Sequence, residues 1–438
     1  MTSRSSQTPV AVLGAGLTGM AAAFHLGRAA VPHRIFEKLP HVGGHAITLE
    51  DSGYRFDRTG HLLHLRDPET RALALSWIGD DWVEVSRKSL IWSNGTYTRY
   101  PFQANTFGLP PDVAYECLHG FIQAHFAKDK PAPANFEEFC LQHFGEGISR
   151  HFMIPYNARL WGVHPSEITA DWCSRFVPLP KLEDVLAGAV GLNDRELGYN
   201  VRFVYPRLGI GELAKGLGRA VPQVELSRAP TAIDWKRREL HFEDEVVRYD
   251  TLVSTAPLSA LLALCTDLPG PVAEAASKLR CSHLYYLDVA LNGPCQKPLH
   301  WVYVPEEKYP FYRLGCYSNF SAAMAPPGKA NLYVELADRN PPDLARLLPE
   351  VANGLVEMGL IDVPEAVRFA RVRRIDHAYV IFDHHYFPAL STIQPFLAAA
   401  NIVSTGRYGG WNYSSMEDAL RFGQEGAARA QQILGGTR

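Results

Sequence analysis

The feature that most constrains this chain is Gly14-Ala15-Gly16-Leu17-Thr18-Gly19, which fills G-x-G-x-x-G directly after the apolar run Val10–Leu13. The run reads as a short strand. Met20–Leu26, Ala-rich and free of breakers, reads as the helix that follows. Arg34-Ile35-Phe36 resumes as a second strand, and Glu37 closes it 18 residues after Gly19. Each glycine has a physical task. The first allows the tight turn, the second lets a pyrophosphate approach the backbone, and the third lets helix pack on strand. Phosphates then meet free N–H groups at the positive end of the helix. Glu37 is placed to accept hydrogen bonds from both ribose hydroxyls of an adenosine. Strand, glycines, helix, strand and acid in that order point to dinucleotide binding.

The fingerprint alone does not separate NAD from FAD. Val42-Gly43-Gly44, six residues past the acid, tilts the reading to FAD. Flavoproteins of the amine oxidase and glutathione reductase types commonly carry such a glycine pair beside the FAD pyrophosphate. At 438 residues the chain is long enough for two or three domains. Its 47% hydrophobic and 20% charged content describes a globular protein. A net charge of −3 argues against nucleic acid as a partner. Seven cysteines without a C-x-x-C suggest neither a disulfide framework nor a metal site. Apolar windows are broken well short of a membrane span, and Met1–Pro9 lacks a signal core. A cytoplasmic enzyme is the expectation.

Further along, Tyr54–Asp57 suits a strand, and Gly60 suits a backbone passing close to a flat ligand. His61 and His64 read equally as a polar pair beside a cofactor ring or as surface histidines. Ser89–Trp92 and Thr96–Tyr100 flank Asn94-Gly95, the signature of a hairpin. From Pro111 to about Leu182 helical spacing takes over, with Phe136, Phe139 and Phe144 as core. Strands return at Val224–Leu226, Leu240–Phe242, Tyr249–Ala256, Leu284–Leu291, Trp301–Val304, Phe311–Arg313 and Asn331–Leu336. A last short strand near Ile402 runs into Gly406 and a helix from about Met416, with Ser414 and Glu417 read as its capping box.

Several blocks together resemble the flavin-dependent UDP-galactopyranose mutases. Phe56-Asp57-Arg58-Thr59-Gly60-His61 looks like that family's glycine–histidine loop. Tyr100-Pro101-Phe102-Gln103, Phe152-Met153-Ile154-Pro155-Tyr156-Asn157 and Pro310-Phe311-Tyr312-Arg313 look like its eukaryotic-type members. Gly406-Arg407, Gly409, Tyr413 and Met416 keep the spacing G-R-x-G-x-x-x-Y-x-x-M.

The resemblance implies an α/β fold: a Rossmann-type FAD-binding domain, a helical insertion and a twisted antiparallel sheet. The expected segments are 1–85, 215–280 and 365–438 for FAD, 86–110, 183–214 and 281–364 for the sheet, and 111–182 for the helices. It implies that reduced FAD attacks the anomeric carbon of a nucleotide sugar through N5, so that ring forms interconvert without net redox change. His61, Arg313 and Arg407 are then catalytic, the arginines holding the leaving diphosphate. Tyr156, Asn157, Arg159, Trp161, Tyr379 and Tyr413 are expected at the substrate. The expected cofactor set is Gly14, Gly16, Leu17, Thr18, Gly19, Glu37, Lys38, Gly43, Gly44, Gly60, His61, Gly406, Ser415 and Met416. NADPH or NADH is the candidate reductant.

The chain also departs from the family pattern. Ile154 and Ala158 stand where the helical motif usually supplies an arginine. Tyr379-Val380 replaces Tyr-Pro, and Arg58-Thr59 replaces small residues. Two alternatives follow: an FAD-dependent oxidoreductase of the amine oxidase and protoporphyrinogen oxidase type, and a flavoprotein fold kept as a scaffold. Base, sugar and oligomeric state are not legible in the sequence.

Overall fold

A computed structural model describes residues 4–173, 177–192, 201–221 and 223–436; parts of the expected helical and sheet segments, 174–176 and 193–200, lie outside them. The strand Arg4–Leu13 forms the centre of a seven-stranded sheet. It pairs in parallel with Glu245–Ser254 on one side, from Arg4↔Glu245 to Leu13↔Ser254, and with His33–Phe36 on the other. Ile402–Ser404 continues the sheet beside the far half of Glu245–Ser254. Val10–Leu13 and Leu252–Ser254 are buried throughout, as expected of parallel strands covered on both faces. All seven cysteines are free thiols.

The helix Leu17–Arg28 leaves the fingerprint and packs under the C-terminal helix Met416–Gly436. The crossing is close because both partners are small there. A Cβ on Gly423 would lie 2.5 Å from the Ala21 Cβ and 2.5 Å from the Thr18 carbonyl oxygen. The capping box of the C-terminal helix is Ser415–Asp418, one residue beyond the expected Ser414–Glu417. Ser415 Oγ accepts from the Asp418 N–H at 3.1 Å, and an Asp418 oxygen accepts from the Ser415 N–H at 2.8 Å. Glu417 is turned away and accepts from the Arg66 and Asp67 backbone N–H groups, tying down the loop before the helix Pro68–Ile78.

A second seven-stranded sheet runs, edge to edge, Val367–Val380, Cys281–Leu291, Ala330–Leu336, Phe311–Cys316, Trp301–Tyr303, Ser89–Ser93 and Thr96–Arg99. Its neighbours are antiparallel except at one seam, where Trp301–Tyr303 runs parallel to Ser89–Ser93. Val367–Val380 belongs to this sheet, so the expected boundary at 365 moves behind that strand. Gly211–Ala220, by contrast, packs on the first sheet's core through Leu213 and Leu217. The hairpin turn at Asn94-Gly95 has positive φ at both residues, 54° and 74°, which matches the twist of the flanking strands.

The helical layer consists of Pro111–Phe126, Phe136–Ile148, Ile154–Trp161 and Leu182–Ala189. Phe136, Phe139 and Phe144 are buried, as read from their spacing. Asp57 fixes the loop between the two bodies. It is fully buried and accepts from Thr48 Oγ1 at 2.6 Å, Tyr205 Oη at 2.6 Å and the Ile210 N–H at 3.1 Å. Burial outweighs these bonds and pushes its carboxyl up to about 7. The loop it anchors carries Thr59-Gly60-His61.

Among the described residues no helix is long and apolar enough to cross a membrane. Gly423→Val forces a branched side chain into the helix crossing, and overpacking of this kind costs about 1–3 kcal/mol. Denaturant unfolding of the variant is expected to show that loss at an unchanged m-value.

Candidate functional site

The fingerprint glycines fall into two kinds. A Cβ on Gly19 would lie 1.8 Å from the Gly14 carbonyl oxygen, so Gly19 is required by helix–strand contact alone. Gly14 itself has φ +95°, which excludes most side chains. Gly16 differs. Its φ is −73°, and an added Cβ would meet nothing nearer than the Gly44 Cα at 3.9 Å. Neither backbone nor packing demands glycine there, so the space beside it fits a ligand. Gly16 is also the N-cap of Leu17–Arg28, and no side chain caps that helix. Its first-turn N–H groups are therefore left for an anion. Gly43 lies beside this turn, its N–H donating to the Ala15 carbonyl at 2.8 Å.

Glu37 is buried at the end of His33–Phe36, accepting from the Ala15 N–H at 2.7 Å and the Leu39 N–H at 2.9 Å. Each carboxylate oxygen keeps acceptor capacity for a ribose hydroxyl. Leu17 and Thr18 are buried in the first turn, and Gly406, with φ +87°, lies against Thr18. Met416 packs against the same core. Lys38 is exposed, and Ser415 spends its hydroxyl on the cap described above. The residues present therefore fit a dinucleotide, with Lys38 the least engaged of the expected set.

Gly60 is glycine for a reason other than ligand access: a Cβ there would lie 2.5 Å from the Tyr333 hydroxyl. His61, next to it, is half-buried with its Nδ1 sealed from solvent and unpartnered. His64 is buried deeper, its Nδ1 2.9 Å from the Arg202 carbonyl. Sequence reasoning missed His45, which directly follows Gly44. Its ring lies 5.5 Å from Tyr408, and its Nδ1 is likewise buried without a partner. Burial holds His61 down to about 4 against the raising effect of the Thr59 and Arg58 backbone, and holds His45 to about 3; the charges of Arg58 and Arg407 lower both.

A layer of aromatic rings and guanidinium groups adjoins this point. Arg407 donates to the Ser414 carbonyl at 2.7 Å and the Ala378 carbonyl at 3.2 Å. Its guanidinium stands 4.6 Å from the Tyr413 ring centroid and 5.9 Å from that of Tyr379. The Tyr379 and Tyr413 rings stack at 6.2 Å, and Trp161 meets Tyr379 edge-on at 5.5 Å. Tyr156 is buried one layer further in, stacked on Phe152 and edge-on to Tyr312. Arg313 reaches the layer by donating to Tyr379 Oη at 3.0 Å. Its bidentate edge, however, is taken by Glu335, at 3.0 and 2.7 Å. Glu335 is fully buried, so Arg313 is half of a buried ion pair before any ligand arrives.

Two expected substrate residues face elsewhere. Asn157 donates to the Met153 carbonyl, just ahead of its helix, at 2.7 Å. Arg159 points into the sheet, donating to the carbonyls of Val304, Glu306, Tyr309 and Phe311. It staples a loop that runs between strands, a role its sequence position beside Tyr156 does not betray. Burial lowers it to about 10.

The sequence model of an NAD(P)-binding Rossmann-like domain matches residues 12–75. The solved structure of a reduced UDP-galactopyranose mutase is 27% identical, covers 98% of this chain and 96% of that one, and superposes with a TM-score of 0.91. The chain resembles UDP-galactopyranose mutase over nearly its whole length. Putrescine oxidase bound to putrescine is 15% identical over 98% of this chain and 100% of its own, with a TM-score of 0.68. A CLA-producing fatty acid isomerase from P. acnes is 17% identical over 95% and 97%, with a TM-score of 0.65. These last two share the fold alone. It is the fold of FAD-dependent mutases and oxidoreductases, and it serves more than one chemistry.

Gly16 and Gly19 make the cradle testable. Gly16→Ala is expected to leave the thermal stability of the dinucleotide-free protein unchanged while abolishing dinucleotide retention on purification. Gly19→Ala is expected to lower stability whether or not ligand is present. Mass spectrometry of the heat-released ligand, beside thermal unfolding, separates the two.

Proposed function

We propose that this protein is an FAD-dependent enzyme that interconverts the ring forms of a nucleotide sugar. The observation that carries the reading is Arg407. Among the described residues no carboxylate forms an ion pair with it, and two carbonyls and three tyrosine rings hold it at a layer of stacked aromatics. An oriented guanidinium without an acid invites an anion. The likeness to a reduced UDP-galactopyranose mutase supports a nucleoside diphosphate in that role.

In this reading Gly14, Gly16 and Gly19 face the FAD pyrophosphate with Gly43 and Gly44, and Glu37 takes the ribose. When bound and reduced, the flavin supplies a nucleophilic nitrogen to the anomeric carbon and returns unchanged in redox state. The chain's own residues do the rest. Arg407 neutralises charge that builds on the departing diphosphate, and Tyr413 hydrogen-bonds it. Tyr379 and Trp161 wall the sugar side and exclude water. Arg313, fixed by Glu335, orients the Tyr379 hydroxyl and offers its remaining Nη1 to the diphosphate. NADPH or NADH is the reductant.

One observation favours the oxidoreductase alternative. The helical segment contributes no arginine to the layer, because Arg159, the basic residue of Ile154–Trp161, is turned into the sheet. A substrate carboxylate needs fewer cations than a diphosphate. Counting product per reducing equivalent decides between the two. Many turnovers per equivalent are expected for the dithionite-reduced protein with its nucleotide sugar. A fixed ratio of one assigns the oxidoreductase.

The two arginines are expected to part company on substitution. Arg407→Lys keeps charge and loses the planar fork. Arg407→Ala removes a charge-assisted contact of about 1.5–3 kcal/mol, a weakening of roughly 10- to 150-fold in nucleoside diphosphate affinity. Arg313→Ala is expected to cost about 3–5 kcal/mol of folding stability as well, since it strands Glu335. Titration with UDP, GDP and TDP followed by flavin fluorescence reads the first effect, and denaturant unfolding reads the second.

A further inference from the structure

Arg407 and Tyr413 owe their mutual position to a reversal of the chain between them. The single helical turn Gly406–Gly409 is capped by Gly410, whose φ is −78°. Past it, the Trp411 N–H donates to the Tyr408 carbonyl at 3.3 Å and the Asn412 N–H to the Arg407 carbonyl at 2.9 Å. This pair of bonds closes a helix by a Schellman turn, which needs one left-handed residue, ordinarily glycine. Here that residue is Trp411, with φ +51°, the only aromatic residue of positive φ among the described residues. Gly409 and Gly410 stand immediately before it, yet they meet a different demand. An added Cβ would lie 2.8 Å from the Ser254 carbonyl oxygen at Gly409, and 2.8 Å from the Gly406 carbonyl oxygen at Gly410. The left-handed conformation therefore falls on an L-residue with a bulky side chain, which is unfavourable unless the surroundings hold it.

Trp411 is held at two points. Its indole is buried in the core that also contains Tyr379 and Tyr386. Its carbonyl accepts from the Tyr386 hydroxyl at 2.6 Å. Tyr386 opens the helix Tyr386–Ala399 and is fixed in turn, its buried ring centred 4.6 Å from that of Phe382. What the reversal delivers is the clamp. It brings the Tyr413 ring centroid to 4.6 Å from the Arg407 guanidinium, and the Ser414 carbonyl to 2.7 Å from Arg407 Nη1. Strain kept at one residue while its neighbours carry a site points to a positioning role. We propose that Trp411 and the Tyr386 hydroxyl are the positioning pair of this anion clamp, holding Arg407 and Tyr413 in place for a diphosphate before the ligand arrives. The inference rests on the nucleoside diphosphate reading of Arg407. The pair acts through Arg407 and Tyr413 and not by contact with the ligand. Geometry set in advance spares part of the ordering that binding otherwise costs, so its loss is read in affinity.

Tyr386→Phe removes the hydroxyl and keeps the ring, so the core stays filled. Calorimetric titration of the holoenzyme with UDP, GDP and TDP reads the effect. The loss of one hydrogen bond sets its scale: affinity for the nucleoside diphosphate is expected to fall roughly 2- to 10-fold, with FAD content unchanged. In an Arg407→Ala background the same change is expected to have no further effect, because the pair works only through the clamp. Tyr54→Phe controls for general loosening of the fold. It removes an equivalent bond, from the Tyr54 hydroxyl to the Leu291 carbonyl at 2.7 Å, and is expected to leave diphosphate affinity at the wild-type value. Wild-type affinity in Tyr386→Phe overturns the proposal. So does the same fold loss in the Arg407→Ala background, or an equal loss in Tyr54→Phe. A wild type that binds none of the three diphosphates, or an Arg407→Ala variant that binds as the wild type does, overturns the reading of Arg407 itself and the positioning role with it, a result distinct from the other two.

Discussion

The backbone contact between Gly19 and Gly14 is the constraint on which the rest of the molecule turns. With no Cβ between them, the helix Leu17–Arg28 starts directly on the end of Arg4–Leu13, with 1.8 Å where a methyl group would have to fit. That approach aims the helix N-terminus along the strand axis and leaves its N–H groups uncapped by side chains. It also sets how near the C-terminal helix can come, because Gly423 sits over Thr18 and Ala21 on the same helix. The loop that opens the C-terminal helix carries Arg407 and Tyr413. A phosphate cradle and a candidate anion clamp, nearly 400 residues apart in sequence, are thus held through one helix.

The second body supplies the other wall, and its stiffness comes from buried polar groups with strict geometry. Asp57 takes three donors, and Asp288, fully buried, takes Arg373 at 2.8 Å. Glu335 takes both arms of Arg313. Ion pairs of this kind add little net stability relative to apolar packing, but losing one partner is costly because the other charge stays buried. Their effect here is positional. Asp57 aims the His61 loop, and Glu335 holds Arg313 against Tyr379.

Much of this was legible in the sequence, and the failures have physical causes. The fingerprint is readable because Gly14 and Gly19 answer backbone and packing requirements that no other residue meets, while Gly16 keeps open the space beside the turn. Leu284–Leu291 and Asn331–Leu336 are legible as strands from their alternation, while the strand starts at Cys281 and Ala330 are not. Val367–Val380, the longest strand among the described residues, carries no such signal. Its sequence carries Arg368, Arg371, Arg373 and Arg374, the last three paired with Asp51, Asp288 and Asp376, so the strand lacks an apolar alternation. The capping box slipped by one because Ser414-Ser415 and Glu417-Asp418 offer two registers, and only packing of Glu417 against the Arg66 loop chooses. Arg159, expected at the substrate, donates to sheet carbonyls, and a guanidinium facing carbonyls and one facing phosphate look alike in sequence. His45 had a signal, its place after Gly44, but no spacing rule attaches a role to it.

The order in which the first sheet is assembled has a consequence for the chain's birth. Arg4–Leu13 precedes its partner Glu245–Ser254 by more than 230 residues, and the helix that covers its own, Met416–Gly436, comes later still. A growing chain can therefore pair one edge of Val10–Leu13 with His33–Phe36 early, while the other edge stays open until Glu245–Ser254 has been made. Pairing across such separations is slow, and an unpaired apolar strand is a template for association with other chains. Co-translational shielding of the N-terminus, by a chaperone or by the nascent helix Leu17–Arg28 folding back on it, is what this topology asks of the cell that makes it.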